Sequence, residues 1–407
     1  SVLQPKEDQW LARISATLFY MFNHFLLQGW FIAERTKFSL ATALVIIIAL
    51  IIQYLRDQQT LLKTAIGVGL TLLVFNAGPG IPLYASLIIA AIVVMLFEGW
   101  GHWRKIFKLS LACTLASIVF SAYWLVPLVY YSYQNLSARI GEAGGTEGAV
   151  AWSYEISKNA SFANLLRLQG IPDWYDNLDH PYANQFLNHP ILIIISFLWP
   201  CLAFSVLFLK ESGSSKSNKT IYMFIALAVV GIVLTSGSHP PTGVVYDWLL
   251  RHVPGFAALR TPFYKFGLLI WLSYAVLIGI SGQKLWEKFS TTKLRVFGLL
   301  FLAVAWGLYN YPYALGNFFQ WSKKHSTMLS VPSYVWDLKR WIDNRSDQAG
   351  RILLLPPLDP GNKYEIYDWK YFSLSTLPTI LTRKSVLIND KYLQPREDQL
   401  LTQVYDG

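Results

Sequence analysis

Between residues 254 and 266 the chain reads Pro-Gly-Phe-Ala-Ala-Leu-Arg-Thr-Pro-Phe-Tyr-Lys-Phe, so that two cations, Arg260 and Lys265, flank Pro262. Proline suits the first turn of a helix. A helix beginning there would offer unbonded N–H groups and the positive end of its dipole, and with Arg260 and Lys265 gathered round them the place suits an anion such as a lipid-linked phosphate. The competing reading has both side chains snorkelling to lipid headgroups. A second candidate is the stretch Ile171-Pro-Asp-Trp-Tyr-Asp-Asn-Leu-Asp-His-Pro181, where carboxylates stand among aromatic rings. Asp173, Trp174, Asp176 and His180 are the residue types that grip sugars, and Asp173, Asp176, Asp179 and His180 could also hold a divalent cation. Against this, the segment reads equally as a solvated acidic loop with Trp174 and Tyr175 in the interfacial aromatic belt. No residue stands out as catalytic, and no dedicated metal site is evident. His24 and Asn76 lie at span ends or turns, where packing explains them.

These residues need elements to hold them, and the composition says which. Of 407 residues, 54% are hydrophobic and only 14% charged, too apolar for an ordinary soluble chain of this length. The apolar residues gather into runs long enough to cross about 30 Å of hydrocarbon as helices. Nine spans are predicted, at about 11–28, 38–55, 62–77, 82–98, 108–128, 190–209, 220–236, 266–282 and 296–312. Cys113 and Cys201 fall within such runs and read as small hydrophobes. No Asp, Glu, Lys or Arg lies near the centre of any of the nine, which counts against an ion-coupled transporter and directs attention to the loops.

A net charge of +10 raises the question of nucleic acid, but the placement of the cations answers it in favour of membrane topology. Loop 55–63 carries Arg56 and Lys63; 99–108 carries Arg104, Lys105 and Lys108; 210–219 carries Lys210, Lys216 and Lys219; 283–295 carries Lys284, Lys288, Lys293 and Arg295. All four fall on one side, which the charge rule makes cytoplasmic. Loop 129–188 falls on the other, where three cations face six carboxylates for a balance of 3 − 6 = −3. The expected protein is thus a multi-pass helical protein of a bacterial or archaeal cytoplasmic membrane. Its N-terminus is inside, and loops 129–188 and 237–265 and the C-terminus are outside. Within loop 129–188, Ser161 to Gly170 reads as a short helix lying on the membrane surface.

Residues 1–312 form the expected membrane domain. From 313 to 407 the chain becomes mixed in charge and proline-punctuated, and reads as part of an extracytoplasmic α/β domain. There Tyr334, Leu338, Trp341 and Ile342 are placed on one helical face, followed by a strand at 351–356. The chain opens Ser1-Val-Leu-Gln-Pro without an initiator Met or signal peptide, and is read as an internal fragment.

Four stretches together resemble the plan of polytopic membrane glycosyltransferases of the GT-C type, in particular the YfhO-like bacterial members and the mycobacterial arabinofuranosyltransferases. They are Leu18-Phe-Tyr-Met-Phe-Asn23, Ala122-Tyr-Trp-Leu-Val-Pro127 before a large outer loop, Phe162-Ala-Asn-Leu-Leu-Arg-Leu168, and Pro254 to Phe266. Gly350-Arg-Ile-Leu-Leu-Leu-Pro-Pro and Tyr367-Asp-Trp-Lys-Tyr look like the start of the outer domain of such proteins. The resemblance implies transfer of a sugar from a polyprenyl-phosphate donor to a glycan or lipid acceptor outside the cytoplasm. It also implies an acidic catalytic residue in the first outer loop, which the family places upstream of this chain; Glu34 is acidic but in the wrong loop. Two alternatives stay open: a polysaccharide polymerase or ligase using a lipid-pyrophosphate donor, and a transporter or flippase.

Overall fold

The computed structural model describes residues 9–23, 25–26, 35–78, 80–142, 145–170, 186–209, 215–314, 330–344, 352–353, 365–369, 371–373, 377–382 and 384–387. Among the described residues, the helices of a first compact unit are α1 (Trp10–Met21), α2 (Arg35–Leu55), α3 (Leu61–Val74), α4 (Tyr84–Glu98), α5 (Trp103–Glu142), α6 (Gly145–Ser157), α7 (Phe162–Leu166), α8 (Pro190–Ser196), α9 (Leu198–Phe204), α10 (Ser215–Thr235), α11 (Gly243–His252), α12 (Pro262–Lys288) and α13 (Thr292–Ala314). Among the described residues, seven segments are long and apolar enough to cross a membrane: those of α2, α4, α10, α12 and α13, residues 103–130 of α5, and the broken run α8–α9. The predicted first and third spans appear as helices of 12 and 14 residues. At about 1.5 Å per residue these reach only some 18 and 21 Å.

The bundle is organised round α12, an apolar helix with buried residues on all sides, as such helices require. Inside the bundle 83% of its span is buried, against 11% for those of α5 and α13. The outward faces of these two, including Leu115, Val119, Phe297 and Val304, stay exposed, as lipid-facing surfaces do. Helix α1 runs antiparallel along α12. Ala12 lies against Gly279, and the Trp271 indole N–H donates to the Tyr20 carbonyl at 2.8 Å.

Residues in or beside three of the four lysine- and arginine-bearing loops, 55–63, 99–108 and 210–219, meet at one end of this unit. Arg56 donates to Glu98 at 2.5 Å and to Thr220 at 2.7 Å, and Lys219 lies 3.9 Å from the same carboxylate. Beside them Lys105 donates to Asp57 at 2.7 Å. That hydrogen bond and the lysine's charge hold the Asp57 carboxyl below its ordinary range.

Three segments read as loop or surface are built differently. Helix α5 continues through Pro127 to Glu142, so the first part of segment 129–188 is helical. Segment 237–265 holds α11, a 3₁₀ turn at Phe256–Leu259, and the first turn of α12, which starts at Pro262 rather than Phe266. The helix at 162–166, capped by Ser161, does not lie on a surface. Leu165 and Leu168 are buried, and the Tyr274 hydroxyl of α12 donates to the Leu166 carbonyl at 3.1 Å. Burying those leucines in the bundle outweighs an interfacial position.

The second unit holds α14 (Ser333–Asp343), β1 (Ile352–Leu353), β2 (Glu365–Ile366), β3 (Phe372–Ser373), α15 (Leu377–Leu381) and β4 (Val386–Leu387). Strand β1 pairs in parallel with β4, and β2 in antiparallel register with β3. Val335, Tyr371 and Leu377 form its core. The buried face of α14 carries Val335 and Ile342, seven residues apart, while Tyr334 and Trp341 of the predicted face are exposed. The packed stripe is therefore the neighbouring one.

Candidate functional site

A cavity of about 280 Å³ lies at the end of the first unit where α12 begins, lined by Thr36, Lys37, Gly80, Pro82, Leu83, Thr261, Tyr264 and Lys265. The Arg56–Glu98–Lys219 cluster marks the opposite end of α2, α4 and α10. Three elements converge on the cavity: the first turn of α2, the turn before α4, and the first turn of α12. Each is fastened. The Tyr84 hydroxyl accepts from the Ala77 N–H at 2.9 Å and fixes the turn, and the Ser86 hydroxyl donates to the Lys265 carbonyl, tying α4 to α12. Pro262 opens α12 at a position where an N–H would have no partner within the helix.

The cations at this site differ in setting. Lys37 is 2% exposed, its ammonium 4.8 Å from the Phe25 ring centre and 5.0 Å from that of Tyr264. These are cation–π distances, which count for more where water is excluded. Lys265 is half-buried and donates to the Thr261 hydroxyl one turn back, bringing its charge toward the helix N-terminus. Arg260 ends the 3₁₀ turn, partly exposed, and does not line the cavity. The structure thus joins Lys265 to Lys37 rather than to Arg260.

A polar layer supports this end. Ser238 donates to the Asp247 carboxylate at 2.5 Å, shares a 2.8 Å hydrogen bond with Ser153, and its backbone N–H donates to Ser157 at 3.2 Å. Gly237, at φ 53°, packs so closely on Pro262 and Ser157 that a Cβ would stand 2.3 and 2.4 Å from them. Tyr246 donates to the Leu259 carbonyl at 2.7 Å, and burial pushes its hydroxyl well above the usual tyrosine range, so it stays a donor. Arg251 is taken up by an ion pair with Glu147.

Asp173, Trp174, Asp176 and His180 lie outside the described residues, as does His24. Among the described residues no group of three or more His, Cys, Asp or Glu is placed to hold a metal ion. The sequence reading missed Lys37 as a site residue. Its signal was available: a lysine directly before an apolar run, on the side the charge rule keeps poor in cations. Compared with known proteins, the chain matches no family, no curated protein and no solved structure.

Proposed function

We propose that this chain is the core of a membrane glycosyltransferase and takes the phosphate of a polyprenyl-phosphate-linked sugar in the Lys37–Lys265 cavity. The observation that carries the reading is the convergence of two lysines and Thr261 on the first turn of α12, in a cavity with Pro82, Leu83 and Tyr264 in its wall. The polar groups suit phosphate oxygens, and the apolar wall suits the first isoprene units. In the reaction an acceptor hydroxyl oxygen attacks the anomeric carbon and the bond from that carbon to the phosphate oxygen breaks. The electron pair leaves with the polyprenyl phosphate, and the acceptor proton passes to a carboxylate. Lys37 and Lys265 stabilise the charge that gathers on the leaving phosphate. On the charge rule the cavity end is extracytoplasmic, where glycan or lipid acceptors and the surrounding membrane lipids meet it. The polyprenyl-phosphate donor, the acceptor class and this placement rest on the resemblance and the loop charges.

The test is a titration of the purified protein with polyprenyl phosphate. Charge-assisted hydrogen bonds contribute about 1.5–3 kcal/mol, so Lys265→Gln is expected to weaken binding roughly 10- to 150-fold. Arg260→Gln, outside the cavity, is expected to change it by less than about 3-fold. Equal affinity of wild type and the Lys37→Gln/Lys265→Gln double variant, at matched stability, would remove the donor site. The transporter reading has one observation in its favour, the buried cation Arg167. It predicts binding without glycosyl transfer.

A further inference from the structure

We infer that Arg167 is a second anion-binding residue, sunk into the helical bundle, and that the group it takes is the phosphate ester of a lipid. A guanidinium is a permanent cation with five N–H donors in a planar fork. Arg167 is only 7% exposed, and its Nη1 is buried without a hydrogen-bond partner. Nη2 donates to the Asn164 side chain at 3.2 Å, and the Phe197 ring centre lies 5.9 Å from the guanidinium carbon. Among the described residues an amide oxygen and a ring face leave the charge without a counter-anion. Buried charges are ordinarily paired, and a departure from that rule marks a place prepared for a ligand.

The depth of Arg167 favours a lipid as the source of the anion. Tyr274, whose hydroxyl bonds the neighbouring Leu166 carbonyl, lies twelve residues into α12, about 18 Å from its start at the helical rise. Phe197 lies seven residues into the α8–α9 run, about 10 Å from its start. Irregular backbone this far into a bundle is tolerated where protein or a cavity surrounds it. Here Arg167 to Gly170 follow the short helix α7, with Leu168 in the left-handed region at φ 59°. That conformation costs a leucine strain, yet Leu168 is 4% exposed and well packed, so the surroundings hold the segment and aim Arg167 inward. The flanking elements, α8–α9 and α13, touch each other and present Ile191, Ile194, Phe301 and Val304 outward. A lipid arriving from the side keeps its chains on that apolar surface while its phosphate reaches the guanidinium. A free phosphate would have to shed its hydration and cross the same apolar layer.

This site shares no residue with the Lys37–Lys265 cavity, so the two can be tested separately. Thermal unfolding of the purified chain in detergent is followed with phosphatidate, with diacylglycerol of the same chains, and with inorganic phosphate, in a Lys37→Gln/Lys265→Gln background that silences the cavity. Phosphatidate should raise the melting temperature while diacylglycerol and inorganic phosphate leave it unchanged. Arg167→Met should abolish the shift, and Arg167→Lys should keep it with affinity lowered about 10-fold, because an ammonium cannot form the two parallel hydrogen bonds. Without lipid, Arg167→Met should melt no lower than its parent, since it removes an unpaired buried charge. Equal stabilisation by inorganic phosphate would overturn the lipid assignment. No stabilisation by either phosphate, with Arg167→Met melting lower, would make Arg167 a structural prop. If Arg167→Met does not fold, a phosphatidate shift that survives unweakened in Arg167→Lys would equally overturn the proposal.

Discussion

The close approach of α1 to α12 gives a prediction whose sign turns on about one ångström. A methyl added at Gly279 would stand 2.6 Å from the Ala12 carbonyl oxygen, whereas one added at Gly282, three residues on, meets nothing nearer than the Ser15 hydroxyl at 3.6 Å. Alanine favours the helix over glycine by about 0.8–1 kcal/mol at either position. At Gly282 that gain stands alone, so Gly282→Ala should be neutral or stabilising by up to about 1 kcal/mol. At Gly279 the opposing atom is backbone, which no rotamer change can move. Reaching ordinary contact at 3.4 Å needs α1 to move outward by 3.4 − 2.6 = 0.8 Å. Forced repacking of this kind costs about 1–3 kcal/mol, so Gly279→Ala should be destabilising by up to about 2 kcal/mol net. The pair should therefore differ by about 2 kcal/mol, a factor of roughly 30 in the folding equilibrium. Reversible unfolding in mixed micelles, with the denaturant midpoint compared at constant slope, measures it. Equal effects of the two substitutions, or a more stable Gly279→Ala, would refute the antiparallel packing of α1 on α12. The consequence reaches the cavity, because the same packing sets Phe25 against Gly267 and in turn beside Lys37.

Two further outcomes are expected. Replacing Glu98, whose carboxylate is 6% exposed between Arg56 and Lys219, by alanine removes the buried anion that both cations face and should cost about 2–3 kcal/mol by the same unfolding assay; a cost under 0.5 kcal/mol would reduce the cluster to surface ion pairs. A cysteine placed by Val244→Cys, exposed on α11, should react with a membrane-impermeant thiol reagent in intact cells, and one placed by Gln58→Cys at the opposite end should not. The reverse pattern would put the cavity in the cytoplasm.

What the sequence made legible is what depends on run length and loop charge. Apolar runs of about twenty residues fixed the positions of the long helices, and the meeting of Arg56, Glu98 and Lys219 bears out the grouping of their loops at one end. Pro262 marked a helix start because its ring fits there whatever the tertiary context. Pairings across the fold were not legible. Lys37 and Lys265 stand 228 residues apart, and only the packing of α2, α4 and α12 makes them neighbours. Arg167 read as one loop charge among nine, since nothing local says that its flanking leucines go inward and carry it with them. The three lysine and arginine residues of segment 237–265 looked alike in sequence. In the structure Arg251 is paired with Glu147, Arg260 ends a turn, and Lys265 alone enters the cavity.

The length of α5 bears on how the cavity end is closed. Forty residues at about 1.5 Å each make some 60 Å of helix, about twice the hydrocarbon thickness, and the near end is fixed by Lys105 beside Asp57. The excess beyond residue 130 must then project from the opposite end, which is the cavity end. There α6 follows; it packs on α12 and on α11, bonding the turn before α11 through Ser153–Ser238 and α11 itself through the Glu147–Arg251 ion pair. What reads in sequence as a long acidic loop is in this part a helical wall beside the start of α12. If the proposed donor phosphate sits between Lys37 and Lys265, a wall of that kind would keep water from one flank of it and strengthen each charge–charge contact there. An acceptor would then have to approach from a side that α6 and α11 leave open.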